Sequence, residues 1–203
     1  MDSKNIQVIA FAVFVVVVGV AIYMGVSGNS SDNDERNEQT AQQVQILKYS
    51  DFQCPACKTF VPAVKQLERD YGDLIDFEYR HFPLDGFQFS RLAAHSAEAA
   101  REQGKFMEMH DLIFEYQEEW SAGGAREMFF DFAEQLDLDM EQFEQDVDSE
   151  EIARRVESQK QEGIRRMVNS TPTFFMNGQR LRQNPQSYEQ FKSIVELYMY
   201  RSN

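Results

Sequence analysis

The sequence predicts an α/β domain: a sheet flanked by helices, with a helical subdomain of about 80 residues inserted mid-chain and an N-terminal transmembrane helix in front. Three observations carry this reading. Short runs rich in strand formers alternate with runs of helical period, in the order strand, helix, strand, long helical block, hairpin, helix. A Cys-x-x-Cys stands where the first strand gives way to the first helix. The first 26 residues are built unlike the rest, being apolar where the remainder is acidic.

From Val8 to Val26 nineteen consecutive residues carry no charge, and Ile6 extends the run across Gln7. At the helical rise this stretch spans roughly 31 Å, the hydrocarbon thickness of a bilayer. Lys4 precedes it, while Asp32, Asp34 and Glu35 follow, which favours an N-terminus inside and the domain outside. The run exceeds the usual signal-peptide core and no Ala-x-Ala site follows it, so the expectation is a single-pass anchor over 1–26 in the cell membrane. Secretion after signal cleavage is the alternative. Residues 27–43 are Ser, Asn, Asp, Glu and Gln with almost nothing apolar, a flexible polar linker. The domain is then 44–203, with its helical insert at about 88–167.

The elements follow in order. Val44-Gln45-Ile46-Leu47-Lys48-Tyr49 reads as the first strand. After Cys54-Pro55-Ala56-Cys57, the positions Phe60, Val61, Val64, Leu67 and Tyr71 recur at helical spacing up to Gly72. Pro62 is expected to bend this helix without ending it. Leu74 to Tyr79 forms a second strand running toward His81-Phe82-Pro83. From Ser90 to Arg166 the period is helical, with one stripe from Phe106 broken at Gly123-Gly124 and a long charged helix from Ile152 to Met167. Thr173 to Met176 returns to a strand, Asn177-Gly178 signals a two-residue hairpin, and a helix bearing Phe191, Ile194, Val195 and Tyr198 closes the chain.

Charge and composition narrow the function. A net charge of -14 argues against nucleic-acid binding, which needs clustered Lys and Arg. Two cysteines are too few for a disulfide scaffold. They are also too few for zinc, since no Cys or His pair of matching spacing supplies the other ligands, and no metal site is expected. A helix N-terminus collects unpaired N–H groups and the positive end of the dipole, so a thiolate there is favoured. Cys54 falls at the cap and Pro55 at the first helical position, where its missing N–H is harmless. Cys57, one turn on, can close a tight disulfide with Cys54 and is expected to be the more buried sulfur. Cys54 is then the attacked and leaving sulfur, and Cys57 the resolving one. Asp51 is expected to take a capping or solvated role, with fixing of the turn or a proton relay as the sharper alternatives. His81, His95 and His110 read as structural.

Taken together, Asp51-Phe52-Gln53-Cys54-Pro55-Ala56-Cys57, Arg80-His81-Phe82-Pro83-Leu84, Ala97-Glu98-Ala99-Ala100 with Gly104-Lys105-Phe106, and Ser170-Thr171-Pro172-Thr173-Phe174-Phe175 with Asn177-Gly178 resemble the DsbA-like thiol–disulfide oxidoreductases of the thioredoxin superfamily. The resemblance is closest to the exported or membrane-anchored BdbD-type branch and covers residues 44–203. It implies a thioredoxin fold in which a cis-proline loop, Thr171 and Pro172, packs against Cys54 and Cys57 and pairs with an extended substrate peptide. It implies no cofactor beyond a redox-active Cys54–Cys57 disulfide. Implied partners are unfolded or reduced secreted proteins and a membrane thiol oxidase of the DsbB or VKOR kind. One departure bears on the chemistry: the intervening dipeptide is Pro55-Ala56, where the best-known DsbA carries Pro-His, so a stabiliser of the thiolate is missing. The direction expected is dithiol oxidation; reduction or isomerisation, and a non-catalytic peptide-binding chaperone module, are the alternatives.

Overall fold

A computed structural model of the protein describes residues 41–201. The transmembrane helix expected over 1–26 and nearly all of the linker 27–43 lie outside the described residues. Among those described, no helix is long and apolar enough to cross a membrane.

Four strands form one sheet: β1 (Val44–Ser50), β2 (Ile75–His81), β3 (Thr173–Met176) and β4 (Gln179–Arg180), in the order β2-β1-β3-β4. β1 is central, parallel to β2 and antiparallel to β3. The parallel pair is joined by α1 (Pro55–Thr59) and α2 (Val61–Tyr71), followed by a single 3₁₀ turn at Gly72–Leu74. β1 is buried on both faces from Ile46 to Tyr49, with Lys48 enclosed among apolar residues. Asn177 at φ 46° and Gly178 at φ 77° make the β3–β4 turn, as the Asn-Gly pair predicts.

The helix after the cysteines is interrupted, which corrects the expectation of one bent helix. α1 ends at Thr59, Phe60 bridges, and Pro62 sits in the first turn of α2, where a residue without an N–H is tolerated. A second correction concerns the stripe from Phe106: it divides at Tyr116 into α4 (Phe106–Glu115) and α5 (Gln117–Ala122).

The inserted helices are α3 (Ser90–Glu102), α4, α5, α6 (Ala125–Gln135), α7 (Met140–Val147) and α8 (Glu150–Arg165); α9 (Tyr188–Met199) packs back on the sheet. α3 buries Ala93, Ala97, Ala99 and Ala100, so neighbouring helices approach it closely around one apolar cluster. That cluster reaches Phe52, Cys54 and Cys57 and thereby seats the insert over the start of α1. A second cluster (Val44, Ile46, Val64, Leu67, Phe174, Phe191) holds α2 and α9 to one face of the sheet, and Leu47, Tyr49, Phe82 and Phe175 fill the other. α8 crosses that second face at Gly163, where a Cβ would stand 2.7 Å from the Phe82 ring.

Candidate active site

Cys54 is the N-cap of α1, in extended backbone (φ -79°, ψ 116°), with Pro55 at the first helical position. Its carbonyl accepts from the Cys57 N–H at 2.9 Å, and its own N–H donates to the Asp51 carbonyl at 3.2 Å. The structure carries the pair as two thiols. Their surroundings differ: Cys57 is wholly buried, whereas Cys54 keeps 6% of its surface in solvent.

That difference drives the acidities apart. The Cys57 thiol donates to Cys54; burial opposes, and the Thr171 side chain and the N–H groups of Cys57 and Ala56 assist, leaving Cys54 at about 6. Burial pushes Cys57 well above the usual thiol range, and its donation to Cys54 pushes the same way. One sulfur is therefore a thiolate near neutral pH and the other a thiol.

Thr171 and Pro172 come from the opposite end of the domain. The Thr171–Pro172 peptide bond is cis, and the Thr171 carbonyl stands 3.5 Å from Cys54 Sγ, accepting from it when that sulfur is protonated. Beside this loop a cleft of about 400 Å³ opens, lined by Ala56, Thr59, Phe60, Pro172, Tyr188 and Phe191 among others. It is half apolar in character and suited to an extended chain with an apolar side chain; neither cysteine lines it, but Thr171, whose carbonyl is 3.5 Å from Cys54 Sγ, does. A larger hollow of about 720 Å³ lies along β2 and the insert, and neither cysteine lines it.

Asp51 is not solvated, and of the roles expected for it the structure shows the one that caps and fixes the turn. It is buried, and its carboxylate accepts from the N–H groups of Gln53 and Leu84 at 2.8 Å each and from Ser90 Oγ at 2.6 Å. Burial raises its pKa and these donors hold it back. Asp51 thus fastens the turn before Cys54 to the β2–α3 loop and the insert. Two residues with no sequence signal complete the brace: Gln117 Nε2 donates to the carbonyls of Phe52 and Cys54, and Gln53 Oε1 accepts from the Phe89 N–H.

The largest omission of the sequence reading is Lys48. It occupies the centre of β1 and is 0% exposed, and its Nζ has no hydrogen-bond partner among the described residues. A signal was present: Val44, Ile46 and Lys48 share one face of a strand, so the alternation places a lysine inside. His81 and His110 are buried structural groups, His81 Nε2 pairing with Glu98 Oε1 at 2.8 Å and His110 Nδ1 with Asp111 at 3.1 Å. Among the described residues no group of three His, Cys, Asp or Glu is placed to hold a metal.

A family model described as Thioredoxin matches residues 38–197. Among curated proteins, the chain is 37% identical over 150 residues to Na(+)/H(+) antiporter NhaA 3 of Salinispora tropica, a match covering 73% of this chain and 22% of that protein. It is 31% identical over 198 residues to Na(+)/H(+) antiporter NhaA 1 of Mycolicibacterium vanbaalenii, covering 88% and 31%. The chain therefore spans between a fifth and a third of these relatives. Among solved structures, a thioredoxin-like oxidoreductase from Silicibacter pomeroyi DSS-3 superposes with a TM-score of 0.66 at 24% identity, covering 80% of this chain and 90% of that one. BdbD from Bacillus subtilis, in its oxidised form, gives 0.66 at 23%, covering 79% and 92%. Wolbachia pipientis alpha-DsbA1 gives 0.68 at 17%, covering 78% and 86%. Likeness at these identities establishes the fold.

Proposed function

The chain belongs to the thioredoxin family, and from that membership and its cysteine geometry we propose that it is an exported thiol–disulfide oxidoreductase, acting as a dithiol oxidase that forms disulfides in secreted proteins. The observation that carries the reading is the split between Cys54, held at about 6 beside an open cleft, and Cys57, buried with its acidity suppressed. A substrate thiolate attacks Cys54 Sγ in the Cys54–Cys57 disulfide; the S–S bond breaks toward Cys57, which takes a proton, and a mixed disulfide forms at Cys54. The second substrate thiolate attacks the substrate sulfur of that mixed disulfide and expels Cys54 as a stabilised thiolate. A leaving thiol of low pKa departs faster, and a stabilised reduced form makes the pair oxidising.

The substrate backbone is placed along Thr171, as an added strand would be, with a side chain in the cleft beside Pro172. Reduced secreted proteins are the proposed substrates, and a membrane thiol oxidase of the DsbB or VKOR kind is the proposed acceptor of the two electrons. The apolar run of 1–26, with Lys4 before it and Asp32, Asp34 and Glu35 after it, supports a single-pass anchor that leaves the domain outside the cell.

The test is the redox potential of domain 41–203 in glutathione buffers. A value near about -120 mV is expected, and one near about -270 mV would assign the reducing direction instead. Protease accessibility of the domain in intact spheroplasts tests its placement.

A further inference from the structure

Lys48 has a setting that the exchange chemistry as described does not use. It lies on β1 between Tyr79 of β2 and Phe174 of β3, its register partners, with its Nζ 5.8 Å from the Tyr79 ring centroid and 5.4 Å from that of Phe114 on α4. The amine is fully enclosed and makes no hydrogen bond. The titratable groups facing it are Cys54 and Cys57 from α1, Glu68 from α2, Tyr79 from β2 and His110 from α4, with Lys65 and Asp111 behind them, joined to each other at 2.5 Å. An ammonium buried without a partner is costly, so burial favours the neutral amine. The opposite charges that reach it are the sulfurs of Cys57 and Cys54, then Glu68. Glu68 is itself pushed toward its neutral form, by burial and by the nearby Asp111 charge. A thiolate appearing at the cysteines changes this balance, because charges interact strongly in an interior of low effective dielectric.

We propose that Lys48 is the counter-charge of the cysteine pair: its amine is neutral beside the Cys54–Cys57 disulfide and takes up a proton when substrate thiols reduce that disulfide. The proposal rests on the oxidoreductase reading above. The balance closes on this chain's own atoms. A substrate dithiol gives up two electrons and two protons as its new S–S bond forms. The electrons break the Cys54–Cys57 bond, one proton goes to Cys57 Sγ, Cys54 stays a thiolate, and the second proton goes to Lys48 Nζ. Reoxidation by a membrane thiol oxidase removes the same two electrons and two protons. Lys48 touches no substrate and acts through the sulfurs as a positioning charge; the Tyr79 and Phe114 rings accommodate the ammonium. The charge compensates in part for the absent polar group at Ala56.

The experiment is the pH dependence of the redox potential, obtained by equilibrium with glutathione and measured on the full chain and on its Lys48→Met variant, each above its own Cys54 pKa as read from thiolate absorbance, about 6 in the wild type. Once the two protons that glutathione itself releases on oxidation are allowed for, each proton the protein takes up on reduction shifts its own potential by about 30 mV per pH unit, tenfold in the half-reaction's equilibrium constant. The wild-type chain is expected to take up two protons and Lys48→Met one, with the variant at least tenfold harder to reduce at neutral pH and its Cys54 thiolate absorbance titrating at higher pH. A Lys48→Met potential within twofold of wild type, or a two-proton slope retained in the variant, overturns the proposal; the latter places the second proton on His110 or Glu68. Should Lys48→Met not fold, the wild-type slope decides, since a one-proton slope overturns it equally. A pair that fails to exchange with glutathione overturns the oxidoreductase reading too, whereas a one-proton slope leaves that reading standing.

Discussion

Two buried polar centres share one face of the sheet, one at His81 on β2 and one at Lys48 on β1, and they are built on opposite terms. Around Glu98, which is 1% exposed, every charge is answered: His81 Nε2 at 2.8 Å, Arg101 Nε at 3.1 Å and Arg155 at 3.1 Å, with Arg155 also holding Glu102. Burial alone would raise this carboxyl, but the His81 bond and the two guanidiniums outweigh it and hold the pKa at about 2. Around Lys48 little is answered. Its amine and the nearby His110 Nε2 and Ser50 Oγ have no partners, and Cys57 is held as a thiol. The first centre ties β2, α3 and α8 together. The second leaves polar groups whose states can change with the cysteines. Satisfied burial fixes a structure, and unsatisfied burial close to a nucleophile marks where charge is to come and go.

The comparison can be broken by substitution. Cys54→Ser should reduce oxidation of a dithiol peptide by about 10³-fold or more while leaving the melting temperature nearly unchanged, since the chemistry has no second nucleophile. Glu98→Ala strands two arginines and His81 and should cost about 3–5 kcal/mol in urea unfolding. Lys48→Met removes an unpaired amine of similar length, so its expected effect on stability is neutral or a gain of up to about 2 kcal/mol. Equal destabilisation by both would erase the contrast.

Acid sharpens it further. The folded pKa of Glu98 is depressed from 4.5 to about 2, so its stabilisation is complete above pH 4.5 and is lost as pH falls toward 2. The loss should amount to about 3 kcal/mol, read from urea midpoints across that range and absent in Glu98→Gln. Gly163→Ala, which drives a Cβ into Phe82 and Tyr49 on the opposite sheet face, should cost about 1–3 kcal/mol without changing the redox potential. Smallest of all, breaking the exposed Arg154–Glu150 pair with Arg154→Ala should change stability by no more than about 0.5 kcal/mol.

Much of the fold was legible because its signals are local. Strand and helix periods, the Asn177-Gly178 turn and the stop at Gly72 are each decided by a few neighbouring residues. The break at Phe60 was misjudged: Pro62 lacks an N–H, and whether that bends a helix or divides it depends on how Phe60 packs between Phe174 and Phe191. The local contact of Asp51 with the Gln53 N–H follows from their spacing, whereas its burial does not, because the Leu84 and Ser90 donors that enclose it lie more than 30 positions away.

By itself the sequence determined that a thiol–proline pair opens a helix after a strand, that Cys54 is the sulfur favoured as thiolate, and that an apolar run precedes the domain. These follow from caps, dipoles and periods, which act within a turn or two. The resemblance placed Thr171, 117 residues away, against Cys54; tertiary structure alone decided the 3.5 Å approach of its carbonyl to the sulfur, that Gln117 braces the loop, and that Lys48 has no partner among the described residues. Whether a buried lysine is paired depends on every element closing around it, here β2, β3, α1, α2 and α4. That closure is a sum of many long-range contacts which no local pattern encodes.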